Sequence, residues 1–234
     1  MKVLDIGFGT GFPAIEIAGR LGKSSVVYGV DLWKEGTEQA KKKAVFRKIN
    51  NLKLLDNNAE KLPFFSNYFH LIISNNGINN VDNIQQVFFE TYRTLKKKGK
   101  FIFTFNLPDT MKEFYSAFKF VLKKNLLMDE IEKMKKHIWK LRKPVSYMKK
   151  ELTNTGFKNI KIIRKKFEYK FPDSDSMFEY FIIREFFLPE WKTIVDKQIQ
   201  KKIFTEVKKL LERTVNKKGF ITLVIPYAGI ICEK

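Results

Sequence analysis

Cysteine and histidine are nearly missing from this chain. One cysteine, Cys232, and two histidines, His70 and His137, occur in 234 residues. A single thiol closes no intramolecular disulfide and supplies no cysteine-based metal site. The two histidines stand too far apart in sequence for a zinc-binding spacing. Also missing is any apolar run approaching the roughly 18 residues that cross a bilayer, and the start carries no charged-then-apolar leader. These absences predict a soluble, cytoplasmic protein with no transmembrane segment. Arginine is scarce too. Arg20, Arg47, Arg93, Arg142, Arg164, Arg184 and Arg213 are the only arginines among 45 basic residues. The formal net charge of +20 is therefore mostly lysine. Nucleic-acid readers favour the bidentate arginine fork. The lysine excess, which comes with abundant Asn, Ile and Phe, reads instead as a solvated surface coat, the bias an AT-rich genome produces.

What is present is an ordinary core, with 44% hydrophobic residues. The length fits one α/β domain, or one domain carrying large insertions. KVLDIG, SVVYGVD, NLKLLDNN, YFHLIISNNG and KFIFTFN predict five strands. FPAIEIAGR and EGTEQAKKKAVFRKI carry helical spacing between them. VDNIQQVFFETYRTLKKKGK is the clearest helix, with Ile84, Val87, Phe88 and Leu95 on one stripe. Asp82 suits its N-cap, Lys96, Lys97 and Lys98 its last turn, and Gly99 a left-handed stop. Strand and helix alternate through residue 106, which predicts a parallel sheet with helices on both faces. Ligands of such sheets sit at the carboxyl ends of the strands. Gly7–Gly11, Asp31, Asn58 and Ser74–Asn76 all fall there. Beyond Asn106, residues 110–143 read as helical, 145–157 as a helix stopped at Gly156, KNIKIIRKKFEYKF as a strand, 174–216 as mainly helical, and GFITLVIPYAGIIC as a final strand. The expectation is a single domain over residues 1–234, with helical insertions near 107–143 and 172–217 that roof the ligand crevice.

The glycines decide which ligand is expected. A dinucleotide site wants G-x-G-x-x-G/A, the last small residue letting the helix meet the pyrophosphate. Counting from Gly7, that position is Phe12, and the spacing here is G-x-G-x-G, at Gly7, Gly9 and Gly11. A bulky Phe12 argues against a pyrophosphate clamp and is no obstacle to a ligand without phosphate. S-adenosylmethionine is such a ligand. Its ammonium wants a carboxylate, its ribose diol a bidentate acceptor, and its adenine an apolar slot with a polar edge. Asp5 can serve the methionine end, Asp31 the ribose, Leu32 a wall of the adenine slot, and Asn58 with Ala59 the adenine edge. Phe8 within the glycine loop, and Ser74 and Asn75 after the fourth strand, complete the candidate cofactor-binding set. Blander readings stand beside these: a tight turn without ligand, Asp5 as a cap of the next helix, and SNNGINN as a turn leading into the helix after Asp82. His70 reads as structural or exposed, and His137, on a lysine-rich helix, as solvated. Trp139 and Trp191 read as core or roof packing.

VLDIGFGTG, GVDLW, NNAEKLPF and FHLIISNNGINNV, in this order, resemble the class I S-adenosylmethionine-dependent methyltransferases. The likeness is to the small-molecule type that includes the ubiquinone/menaquinone C-methylase-like enzymes. It covers residues 1–106 and extends loosely to TGFKNIKII and the closing strand. The resemblance implies a Rossmann-like, seven-stranded, mostly parallel sheet whose last strand runs antiparallel. It also implies that Gly7, Gly9 and Gly11 line the methionine, Asp31 the ribose and Asn58 the adenine. The family usually has Asp where Asn58 stands, and Asp where His70 stands. Relatives carry an N-terminal helical segment before the first strand; either it is absent here or the insertions do its work. The expected function is methyl transfer to a small organic acceptor. An RNA acceptor, or cofactor binding without turnover, are the alternatives. No side chain stands out as a catalytic base, no metal is expected, and the sequence is silent on oligomeric state.

Overall fold

The computed structural model describes residues 1–234, the side chain of Lys218 excepted. Seven strands form one sheet: β1 (Lys2–Ile6), β2 (Val26–Asp31), β3 (Leu52–Asp56), β4 (Phe69–Asn75), β5 (Leu95–Asn106), β6 (Lys158–Phe171) and β7 (Ile221–Glu233). Their spatial order is β3-β2-β1-β4-β5-β7-β6. The pairs β1–β2, β1–β4, β2–β3 and β4–β5 are parallel, and β7 runs antiparallel to β5. The chain reverses its winding about β1, the first strand and the centre of the parallel part. That switch in strand order is where an open α/β sheet leaves a crevice beyond its carboxyl edge.

The helices are α1 (Ala14–Leu21), α2 (Lys34–Phe46), α3 (Ile84–Thr94), α4 (Lys112–Lys124), α5 (Met128–Leu141), α6 (Val145–Thr155), α7 (Ser174–Glu179), α8 (Leu188–Lys192) and α9 (Gln200–Lys218). No described helix is long and apolar enough to cross a membrane. The chain divides into two compact units. The first is Met1–Asn106, Lys143–Arg164 and Tyr227–Lys234; the second is Leu107–Arg142 and Lys165–Pro226. Val3, Phe8, Ala14, Ala18, Val27 and Ala40 form one core cluster of the first unit. Small residues on α1 and α2 let those helices lie close to the sheet. The second unit has its own aromatic core, in which Phe114 stacks on Trp191 with ring centroids 3.6 Å apart. Its second segment takes the outer part of β6 and the first part of β7. The amide of Met111 donates to the Val224 carbonyl at 2.8 Å, and the Val224 amide to Glu113 Oε2 at 3.1 Å.

The sequence stripe over 82–99 is corrected in three places. α3 ends at Thr94, and the lysine run lies in β5. Leu95 leaves the helix because it pairs with Phe69, and the Lys98 amide donates to the Lys234 carbonyl at 3.0 Å. Lys98, not Gly99, has the positive φ. The N-cap is Asn83, whose side chain accepts from the Gln86 amide; the expected Asp82 lies one residue earlier.

Candidate functional site

The site begins where β1 runs out. Asp5 sits on the central strand, opposite Gly29 of β2 and Ile73 of β4. Flanked on both sides, its carboxyl is fully buried, and neither oxygen has a hydrogen-bonding partner. Burial pushes its pKa up to about 8; the nearby Asp31 charge adds to the rise, and the Ala14 amide at the head of α1 opposes it without reaching hydrogen-bond geometry. Asp5 therefore caps nothing and is largely an uncharged acid at neutral pH.

The glycine loop follows. Gly7 and Gly9 have φ of +73° and +53°, in the left-handed region. The Gly7 amide donates to the Val30 carbonyl at 2.9 Å, which ties the loop to the end of β2. A Cβ on Gly7 would stand 2.7 Å from the Cα of Gly77, so two backbones meet there with no room for a side chain. A Cβ on Gly9 would meet nothing within 4 Å. Gly9 is thus bare toward open space, while Gly7 is bare toward the protein.

Asp31, the last residue of β2, faces this loop. Its Oδ2 accepts from the Gly9 amide at 2.7 Å and its Oδ1 from the Trp33 amide at 2.8 Å. Each carboxylate oxygen keeps a second lone pair for a further donor. Leu32 beside it is 61% exposed, an apolar side chain open to solvent. Phe8 points elsewhere: its ring fills the space over Gly29 and is buried, so only its backbone remains at the loop. Phe12 is 67% exposed and plugs nothing.

The third and fourth loops are held by side chains of their own. Asn58 Oδ1 accepts from the Glu60 amide at 2.8 Å, which leaves its amide N–H₂ as the open donor. Ala59, next in the chain, is buried. Ser74 is buried and donates to the Ile6 carbonyl at 2.7 Å, locking β4 to the end of β1. Asn75 is exposed, and its Oδ1 accepts from Thr104 Oγ1 of β5 at 2.7 Å. The loop 74–80 turns as a short 3-10 segment, Gly77–Asn80, and α3 starts separately at Ile84.

Residues 4–103 match the methyltransferase domain family. This stretch is similar to that family over 100 of the 234 residues. The chain is 32% identical over 125 residues to the demethylmenaquinone methyltransferase of Geobacillus sp. (strain WCH70), covering 52% of this chain and 53% of that protein. The chain spans about half the length of the curated relatives it matches. Among solved structures, the YcgJ protein of Bacillus subtilis aligns over 100% of this chain and 91% of its own, with a TM-score of 0.63 at 18% identity. Phosphoethanolamine N-methyltransferase 2 of Haemonchus contortus, solved with S-adenosyl-L-methionine, aligns over 100% of this chain and 48% of its own, with a TM-score of 0.59 at 17% identity. The two solved structures share the Rossmann-like fold of this chain.

Sequence reading of this stretch missed Gly77. Its signal was a glycine two residues past the end of an apolar strand, where a close backbone approach competes with a turn. A Cβ there would stand 2.5 Å from the Ile6 carbonyl oxygen. Also missed was Lys43 of α2, whose Nζ donates to the Thr10 carbonyl at 3.0 Å and braces the glycine loop from outside. Outside this stretch, His137 is corrected. Its side chain is 12% exposed, not solvated, with Nδ1 3.8 Å from Glu190 Oε2. Burial and the Arg142 charge hold its pKa below the ordinary imidazole value. His70 is exposed, as expected, and accepts from the Lys2 amide at 3.0 Å. Trp191 is fully buried, whereas Trp139 is 52% exposed.

Proposed function

We propose that this protein is a methyltransferase that uses S-adenosylmethionine to methylate a small organic acceptor. The observation that carries the reading is Gly9, bare toward open space and fastened by its amide to Asp31. A loop held so firmly, with its one unfilled Cβ position facing outward, fits a nucleoside laid against backbone. Two further features fit the same ligand. Asp5 is an orphaned buried carboxyl that an ammonium would partner, and Asp31 keeps acceptor capacity for a ribose diol. Asn58 offers a donor to a ring nitrogen of adenine, with Leu32 as apolar wall.

The bound donor supplies a methyl carbon already activated by its sulfonium. The protein's task is then alignment and exclusion of water. Gly9 would give the donor close approach to backbone, while Gly7 and Gly11 serve the packing of the loop, and Asp31 would hold the ribose. An acceptor that attacks through a lone pair or an electron-rich ring carbon needs no base. Demethylmenaquinone, named for the Geobacillus relative, is the first acceptor to try. Calorimetry tests the donor: S-adenosylmethionine is expected to bind and NADH not to. S-adenosylhomocysteine formed with a demethylated quinone tests the acceptor. Tight NADH binding without S-adenosylmethionine binding overturns the reading.

A further inference from the structure

Arg142, just past the end of α5, is only 3% exposed. Its guanidinium uses one nitrogen: Nη1 donates to the Tyr115 hydroxyl at 3.1 Å. The rings of Tyr115 and Phe187 lie with centroids 5.5 and 5.7 Å from its central carbon. Among the described residues no carboxylate pairs with it. Nε and Nη2 have no protein partner, and each keeps some contact with solvent. An arginine cannot shed its charge by losing a proton, and an isolated buried charge is strongly disfavoured.

The unused edge says what would fit. Nε–H and Nη2–H lie side by side on one edge of the guanidinium and match the two oxygens of a carboxylate. The Tyr115 hydroxyl already accepts from Arg142 and from Trp191 Nε1, at 3.1 and 3.0 Å, so its own proton is left to donate. His137 and Glu190 complete the polar surroundings. Glu190 lies toward the histidine, 3.8 Å from Nδ1, and makes no ion pair with Arg142. The cluster is rich in unmet donors, and its rings suit an apolar body.

We propose that Arg142 anchors a carboxylate-binding site in the second unit, which takes a small organic acid across Nε and Nη2 with the Tyr115 hydroxyl as third donor. This rests on geometry in the second unit alone, so its failure leaves the methyl-transfer reading standing. The test is calorimetry and thermal shift of the full chain with benzoate, benzamide and inorganic phosphate. Benzoate is expected to bind and to raise the unfolding midpoint, and benzamide, which lacks the charge, to do neither. Arg142→Lys keeps the charge without the fork and is expected to weaken benzoate by about tenfold. Tyr115→Phe is expected to weaken it by a few-fold. Arg142→Met should fold, because it removes an unpaired buried charge, and should no longer respond to benzoate; if it does not fold, Arg142→Lys carries the test. Failure of benzoate to bind the wild type at millimolar concentration, equal binding by the Arg142 variants, or phosphate bound in its place, each overturns the proposal.

Discussion

Asp5 is the residue with the most to lose from ionising. Its pKa stands near 8 in the folded chain, well above the ordinary aspartate value of 3.8. The folded state therefore holds a proton that the unfolded chain has released. Stability from this group is fully present below pH 3.8 and is lost as pH rises through about 8, at about 1.4 kcal/mol per pH unit. Thermal unfolding of the wild type is expected to fall between pH 5 and 8, and Asp5→Asn to flatten that slope; an unchanged slope would count against the buried acid. The two glycines separate fold from ligand. Gly7→Ala drives a Cβ into the Gly77 backbone and is expected to destabilise by about 2–4 kcal/mol, as overpacking and left-handed strain combine. Gly9→Ala has open space around it and should cost only about 1–2 kcal/mol of left-handed strain. It should nevertheless weaken S-adenosylmethionine by more than about tenfold, because its methyl stands where the ligand would lie. Calorimetry beside urea unfolding distinguishes the two effects.

At the level of elements, α3 organises the loop that carries Asn58. Arg93 donates from Nε to Glu90 Oε1 and from Nη2 to Glu90 Oε2, both at 2.7 Å, and reaches the carbonyls of Phe64 and Leu62 at 2.8 and 3.1 Å. Glu90 in turn accepts from the Leu62 amide at 2.8 Å. The Arg93 guanidinium holds the Glu90 carboxyl below the usual glutamate range, with the Leu62 amide helping. That stability is present above the ordinary glutamate pKa and lost as pH falls through the depressed folded value. Arg93→Ala leaves Glu90 unpaired and is expected to cost about 2 kcal/mol, discounted for the partial exposure of the arginine. Urea unfolding at neutral pH measures it, and a cost near zero would show that the network does not hold the loop. The strand-helix alternation up to Asn106 was legible in the sequence, because apolar runs and helical stripes are local. The end of α3 was not: the lysine run belongs to β5 because Leu95 pairs with Phe69 and Lys98 with Lys234, partners far away along the chain.

For the whole molecule, a ligand that binds only the folded chain must stabilise it. S-adenosylmethionine at a hundred times its dissociation constant is worth about 2.7 kcal/mol. For a chain of this size that is about 5–10 °C in the unfolding midpoint of the first unit. NADH at the same concentration is expected to leave the midpoint unchanged, and differential scanning fluorimetry reads both.

The chain's order of residues was enough to place three glycines after the leading strand, to set Asp31 at the end of its neighbour and to argue against a pyrophosphate. Those features are local: φ preference, periodicity and spacing act within a few residues. Only the folded arrangement decided that Gly7 is bare for the sake of Gly77 while Gly9 is bare toward open space, that Phe8 belongs to the core, and that Asp5 and Arg142 lie buried with no ion-pair partner among the described residues. Desolvation and close packing depend on segments brought together from far along the chain, and no window of sequence contains them.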